Sequence, residues 1–108
     1  MDIQVFINDR NGNYNATGRY KGNELFVCAG GYIRMDFAEH IRGGKKSLTY
    51  RNNPEYVDSE GKILKDCVFT SPSTAAQFVT GRSCNGYESW KVERRKSLGK
   101  YLEENGLR

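Results

Sequence analysis

Glycine breaks this chain into short pieces. Twelve glycines are spread along 108 residues, and the longest stretches between turn signals suit strands of a few residues and helices of two or three turns. The first of these pieces alternates. Ile3, Val5 and Ile7 fall on one side of a strand over 2–8, and Phe6 is the one apolar residue on the other side. Asp9-Arg10-Asn11-Gly12-Asn13 makes a turn, with Asn11-Gly12 suited to positive φ. A second strand is expected over 14–20, a turn at Lys21-Gly22-Asn23, and a buried central strand at Leu25-Phe26-Val27-Cys28-Ala29. Gly30-Gly31 interrupts that run and marks a bulge or a close backbone approach. Tyr32-Ile33-Arg34 continues the sheet.

Beyond it, Phe37 and Ile41 are spaced i, i+4 and predict a short helix over 35–42 that Gly43-Gly44-Lys45-Lys46 ends. Residues 43–60, rich in Gly, Asn, Lys and Asp, read as a loop containing Asn52-Asn53-Pro54, with a turn at 58–61 and a strand over 62–69. The clearest helix is 71–81. Ser71 is its N-cap, Pro72 its first residue and Gly81 its left-handed terminator, and Ala75, Phe78 and Val79 share a face. Asn85-Gly86 is a turn, Tyr87 to Lys91 is extended, and a last helix over 97–105 is capped by Ser97 and ended by Gly106. Together these predict an α+β fold: a small single-layer, mostly antiparallel sheet packed by two or three short helices. Residues 1–108 form one domain.

Aromatic residues make up 12% of the chain, which excludes disorder. No apolar run is long enough for a membrane helix, and the N-terminus lacks a signal-peptide pattern. The odd count of three cysteines, Cys28, Cys67 and Cys84, lacks metal-site spacing and points to reduced thiols in the cytoplasm. The expectation is therefore no metal, no cofactor and no membrane partner. Catalysis has little to stand on: His40 is the only histidine, and a Cys84–His40 dyad is the one nucleophilic pair available. The expectation is a non-enzyme. The net charge of +4 is concentrated: residues 91–108 hold 6 Lys/Arg against 3 Asp/Glu, whereas residues 1–90 hold 11 against 10. A basic stretch of this kind either attracts phosphate backbones or forms a solvated tail.

The most specific signal is the run S-P-S-x-A-A-x-x-x-x-G-x-x-x-N-G-x-x-x-W, present as Ser71-Pro72-Ser73, Ala75-Ala76, Gly81, Asn85-Gly86 and Trp90, followed by Lys91. Upstream, Gly18-Arg19 precedes Phe26-Val27-Cys28-Ala29-Gly30. Over about residues 14–102 this resembles the bacterial domain-of-unknown-function 4357 family, which often accompanies GIY-YIG-type nuclease domains. Its core is also similar to the RAMA domain, associated with restriction enzymes and adenine methylases and proposed to read modified DNA. The resemblance implies a nucleic-acid-binding module, DNA first, in a restriction or anti-phage setting, acting beside a separately encoded nuclease or methylase. It carries over no cutting activity.

On chemistry alone, the hydroxyls of Ser71, Ser73 and Thr74 sit at a helix start suited to a phosphate. Arg82, Lys91, Arg94 and Arg95 are candidates for further phosphates. Asn85 can pair with an adenine edge, and Trp90 or Tyr87 can stack on a base. Each has a plainer counterpart: serines as caps, Asn85-Gly86 as a turn, Trp90 as core. The alternative function is a protein-interaction module that regulates or partners a nuclease or modification complex, with Tyr14, Tyr20, Tyr32 and Tyr50 as an exposed patch.

Overall fold

The computed structural model describes residues 2–38 and 44–108. Alternation sets the sheet. In β1 (Asp2–Asn8), Ile3, Val5 and Ile7 are buried and their neighbours face outward. Antiparallel pairing with β2 (Asn15–Lys21) places Ile3 opposite Tyr20, Val5 opposite Gly18 and Ile7 opposite Ala16, so the inward rows match. β3 (Glu24–Val27) adds Leu25 and Val27 to the same face, and β4 (Cys67–Phe69) adds Cys67 and Phe69. On the other side, β1 pairs with β5 (Lys91–Glu93), which turns into β6 (Lys96–Ser97). Among the described residues the sheet has six strands in the order β4-β3-β2-β1-β5-β6, with every pairing antiparallel.

Helices α2 (Pro72–Thr80) and α4 (Leu98–Glu104) cover the inward face. α2 packs on β2, β3 and β4, and α4 on β5 and β6. α1 (Lys45–Arg51) lies against α2, and the one-turn α3 (Gly86–Ser89) fits between α2 and α4. The fold is α+β, as expected. Because α3 is one of the four described helices, the count exceeds the two or three expected.

The helix over 71–81 forms as its punctuation dictates. Ser71 is extended, its Oγ accepts from Thr74 N at 3.2 Å, and Pro72 opens the helix. Gly81 takes φ +70° and its N–H donates to the Gln77 carbonyl at 2.9 Å. An amphipathic helix would leave one face wet, but here Ala75 through Thr80 are all buried. The sheet lies under the helix, with α1 and α3 along its sides.

Four local expectations are corrected. Residues 35–38 are not helical: the Arg34 and Ala38 N–H groups donate to the carbonyls of Val79 and Gly81, at 2.8 Å each, so this irregular segment follows the end of α2. The rest of the expected 35–42 helix, with Ile41, lies outside the described residues. The supposed loop after 43 contains α1. Its N-cap, Gly44, has no side chain to signal a start. Contacts from afar hold it instead: Ser47 Oγ donates to Thr74 O at 3.1 Å, and Tyr50 packs among Tyr56, Phe69 and Phe78. Of the strand expected over 62–69, only 67–69 joins the sheet; Lys62 and Ile63 make isolated bridges to Tyr32 and Val57. Finally, Tyr87–Ser89 is the turn of α3 rather than extended chain, because Asn85 Oδ1 caps it by accepting from Tyr87 N at 3.0 Å.

Gly18 and Gly86 are among the glycines set by close approach. A Cβ on Gly18 would stand 2.7 Å from the Phe26 carbonyl and 3.5 Å from the Trp90 ring. A Cβ on Gly86 would stand 2.1–2.3 Å from backbone atoms of Pro72 and Ser73. Gly86→Ala is therefore expected to lower unfolding stability by about 3 kcal/mol through overpacking. Gly12→Ala, at φ +76° with open space around it, is expected to cost only about 1 kcal/mol of left-handed strain. Urea unfolding of the two variants checks the order.

Candidate nucleic-acid interface

The topology sorts the expected contact residues onto two ends of the sheet. α2 starts two residues after β4, at the end where β1 begins, and runs back across the sheet. Its C-terminus lies beside the β1–β2 loop, since Arg34 bonds the Thr80 carbonyl through Nε at 2.8 Å and reaches Asp9 at 4.0 Å. Nine helical residues put about 13 Å between the two ends. Ser71, Ser73, Thr74 and Asn85 belong to the first end, and Arg82 to the second. The β5–β6 turn, Arg94-Arg95, also points to the first end, because β5 runs antiparallel to β1.

The start of α2 is already occupied. Ser71 Oγ caps Thr74 N and lies 3.0 Å from Thr74 Oγ1. Ser73 Oγ accepts from Gly86 N at 3.0 Å. Pro72 has no N–H, Ala75 N bonds the Ser71 carbonyl, and Gly86 sits against the Ser73 nitrogen. The hydroxyls expected to meet a phosphate, those of Ser71, Ser73 and Thr74, are thus engaged in capping and in holding Gly86. Trp90 is corrected as well: it is fully buried, and its Nε1 donates to the Pro72 carbonyl at 3.1 Å. An indole in that position cannot stack on a base. Asn85 is exposed, with its Oδ1 used in capping. The motif is thus a clamp between α2 and α3.

Arg82 has a structural role that its sequence context does not reveal. Its Nη1 donates to the Gly81 carbonyl at 2.9 Å and its Nη2 pairs with Asp36 at 2.6 Å. It is one of three arginines around the last turn of α2. Arg34 holds Thr80 O; Arg51 holds Phe78 O through Nε at 2.9 Å and Arg34 O through Nη1 at 2.7 Å. Cations at a helix C-terminus satisfy its free carbonyls and its partial negative charge. Arg51 is the most enclosed. Burial lowers its pKa to about 10; Asp36 opposes the shift, and Arg82 and Arg34 add to it.

Lys91 donates from Nζ to the Glu88 carbonyl at 2.8 Å. Arg94 and Arg95 differ from all the others. They form the exposed turn between Glu93 and Lys96, and neither makes an ion pair or side-chain hydrogen bond among the described residues. Of the nine expected residues these two are free. The neighbouring Lys96 pairs with Glu104 at 2.7 Å.

The expected tyrosine patch does not form. Tyr20 is buried, Tyr50 and Tyr14 pack against the core, and Tyr32 alone is exposed. Another surface was missed: the uncovered face of the sheet, with Phe6, Phe26, Val68 and Arg19. Its signal was the break in β1 alternation at Phe6. Of the Cys84–His40 pair, His40 lies outside the described residues; Cys84 Sγ is 3.7 Å from Thr80 Oγ1. Among the described residues no cluster of His, Cys, Asp and Glu could hold a metal, and no helix is long and apolar enough to cross a membrane.

The fold and clamp define a small open-sheet α+β domain. The family described as Domain of unknown function (DUF4357) matches residues 5–102, and the chain belongs to that family. The match starts within β1, upstream of the Tyr14 at which the resemblance begins. No curated protein matches, and no solved structure matches.

Two outcomes follow. Ser73→Ala leaves the buried Gly86 N–H without its acceptor and is expected to cost about 1–3 kcal/mol in urea unfolding. The second concerns acid. The Arg82 guanidinium holds the Asp36 carboxyl below its ordinary 3.8, and Arg19 and Lys96 do the same for Asp2 and Glu104. A depressed folded-state pKa stabilises above the unfolded value and loses that effect as pH falls through the folded value. Stability is expected to decline as pH falls from about 4, and Asp36→Asn is expected to make that decline shallower, read by urea unfolding at pH 5 and pH 3.

Proposed function

We propose that this chain is a non-catalytic nucleic-acid-binding module that meets phosphates through the Arg94-Arg95 turn. One observation carries the reading: two adjacent guanidiniums stand exposed at the tip of a sheet-edge hairpin and answer no carboxylate among the described residues. Two unpaired like charges side by side have no stabilising role in the fold. Guanidinium forks match phosphate oxygens. They also sit in the segment that holds most of the net charge. DNA is the first ligand in this reading. Modified-adenine DNA, in a restriction or anti-phage setting and beside a separately encoded nuclease or methylase, is its finer form; that form rests on the similarity of the 71–90 run to the RAMA core.

The test is a titration against labelled duplex and single-stranded DNA, with and without adenine methylation, at two salt concentrations. Salt-sensitive binding is expected, and Arg94→Ala/Arg95→Ala is expected to reduce the slope of log affinity on log salt by about two. Tighter binding to methylated DNA would support the modification reader. Absence of binding to any form at low salt would overturn the reading and favour a protein partner.

A further inference from the structure

The sheet has one covered face and one open face. All inward rows meet helices, whereas Gln4, Phe6, Thr17, Arg19, Phe26 and Val68 point away from them. Phe6 and Phe26 are half-buried, lie outside the core cluster, and take part in no ring–ring contact among the described residues. Phe26 has Val68 directly across the ladder on its other side, and an apolar patch on an open sheet face marks an interaction site.

Each ring has a cation directly across the ladder: Phe26 pairs in register with Arg19, and Phe6 with Lys91. Arg19 is held by Asp2 through Nε and Nη2, which leaves Nη1, and Lys91 keeps two donors beyond its bond to Glu88. The two ring–cation units are two strands and two residues apart, about 12 Å from strand spacing and rise. A groove of about 380 Å³ lies between them, lined by Gln4, Phe6, Thr17, Arg19, Cys28 and Val92. The acids of this face are at its rim. Asp2 and Glu24 are at one end, Asp66 is beside the start of β4, and Glu93 is next to the arginine turn. Cations occupy the centre and the Arg94-Arg95 edge.

We infer that the open sheet face binds single-stranded nucleic acid, with bases stacked on Phe6 and Phe26 and phosphates bonded by Arg19, Lys91 and the Arg94-Arg95 turn. A flat ring can stack only on a base whose face is free, which excludes the interior of a duplex. Apolar ring and adjacent cation answer the two halves of a nucleotide. The central placing of the cations favours this polyanion over an acid-poor protein surface. The inference rests on the reading above and adds strandedness and the residues that read it.

The experiment is a fluorescence-anisotropy titration of the full chain with labelled oligo-dT and with a duplex of equal length. Wild type is expected to bind the single strand more tightly. Phe6→Ala and Phe26→Ala are each expected to weaken single-strand binding about tenfold. Both alanine variants are expected to remain folded at the titration temperature, checked by thermal unfolding, since neither ring belongs to the core, and Phe6→Tyr and Phe26→Tyr, which keep the ring, are expected to restore binding. Equal or tighter duplex binding, with the alanine variants unchanged and Arg94→Ala/Arg95→Ala weakened, would overturn this inference and leave the nucleic-acid reading standing. Absence of binding to both probes would overturn both.

Discussion

The Pro72 carbonyl is where the fold is tied. Trp90 Nε1 donates to it, Gly86 packs on it too closely for any side chain, and Ser73 Oγ next door accepts the Gly86 N–H. Three parts of the chain meet there with no slack: the start of α2, the start of α3 and the indole that lies over Gly18 on the sheet. The indole must be buried whole, and a buried N–H needs an acceptor. Proline supplies one cheaply. At the first helical position its missing N–H is no loss, and its carbonyl points where α3 can be built around it. Once Trp90 is set, β5 follows at Lys91, directly beside β1, and Leu98 N returns to the Trp90 carbonyl at 2.8 Å to begin α4. The C-terminal third is therefore hung on one indole.

The other end of α2 is held by charge as well as by packing. Arg34, Arg51 and Arg82 come from three segments far apart in sequence and bond carbonyls of Phe78, Thr80 and Gly81. Three guanidiniums together repel, and burial of Arg51 adds to the cost, as its lowered pKa records. The carbonyls, the helix dipole and the two carboxylates Asp9 and Asp36 offset it. This end also orders residues 34–38, which have no helix or strand of their own among the described residues.

What could be read in advance follows from where each signal resides. Ser71, Pro72 and Gly81 act on their own neighbours, so α2 was legible to the residue at both ends. So were β1, by alternation, and the Ser97 cap of α4, whose Oγ accepts from Lys100 N at 3.1 Å. α1 was not legible, because its support comes from Thr74 and from the rings of Phe69 and Phe78. The same distinction governs the site. Ser73 and Arg82 were exposed-looking polar residues beside a helix end, and only the third dimension shows Gly86 on one and Asp36 on the other. Arg94 and Arg95 were picked as candidates, with Arg82 and Lys91, from charge and from lying beside the 71–90 run, and only the fold distinguishes the exposed, unpaired turn from the two that are engaged. Phe6 was visible as an exception to alternation, but an outward phenyl has meaning only when the other outward rows are known.

This separation bears on what family membership transmits. In the 71–90 run on which the resemblance rests, Ser71, Ser73, Gly86 and Trp90 serve the clamp by capping, close approach and burial. They specify a shape, and a shape is compatible with many ligands. A function shared across the family would have to be carried by side chains the clamp does not touch. In this chain such side chains include the half-buried Phe6 and Phe26 on the outward row of the sheet and the Arg94-Arg95 turn at its edge, which makes no ion pair among the described residues. A test of ligand binding is therefore best addressed to these side chains and not to the 71–90 run, which is occupied in shaping the fold.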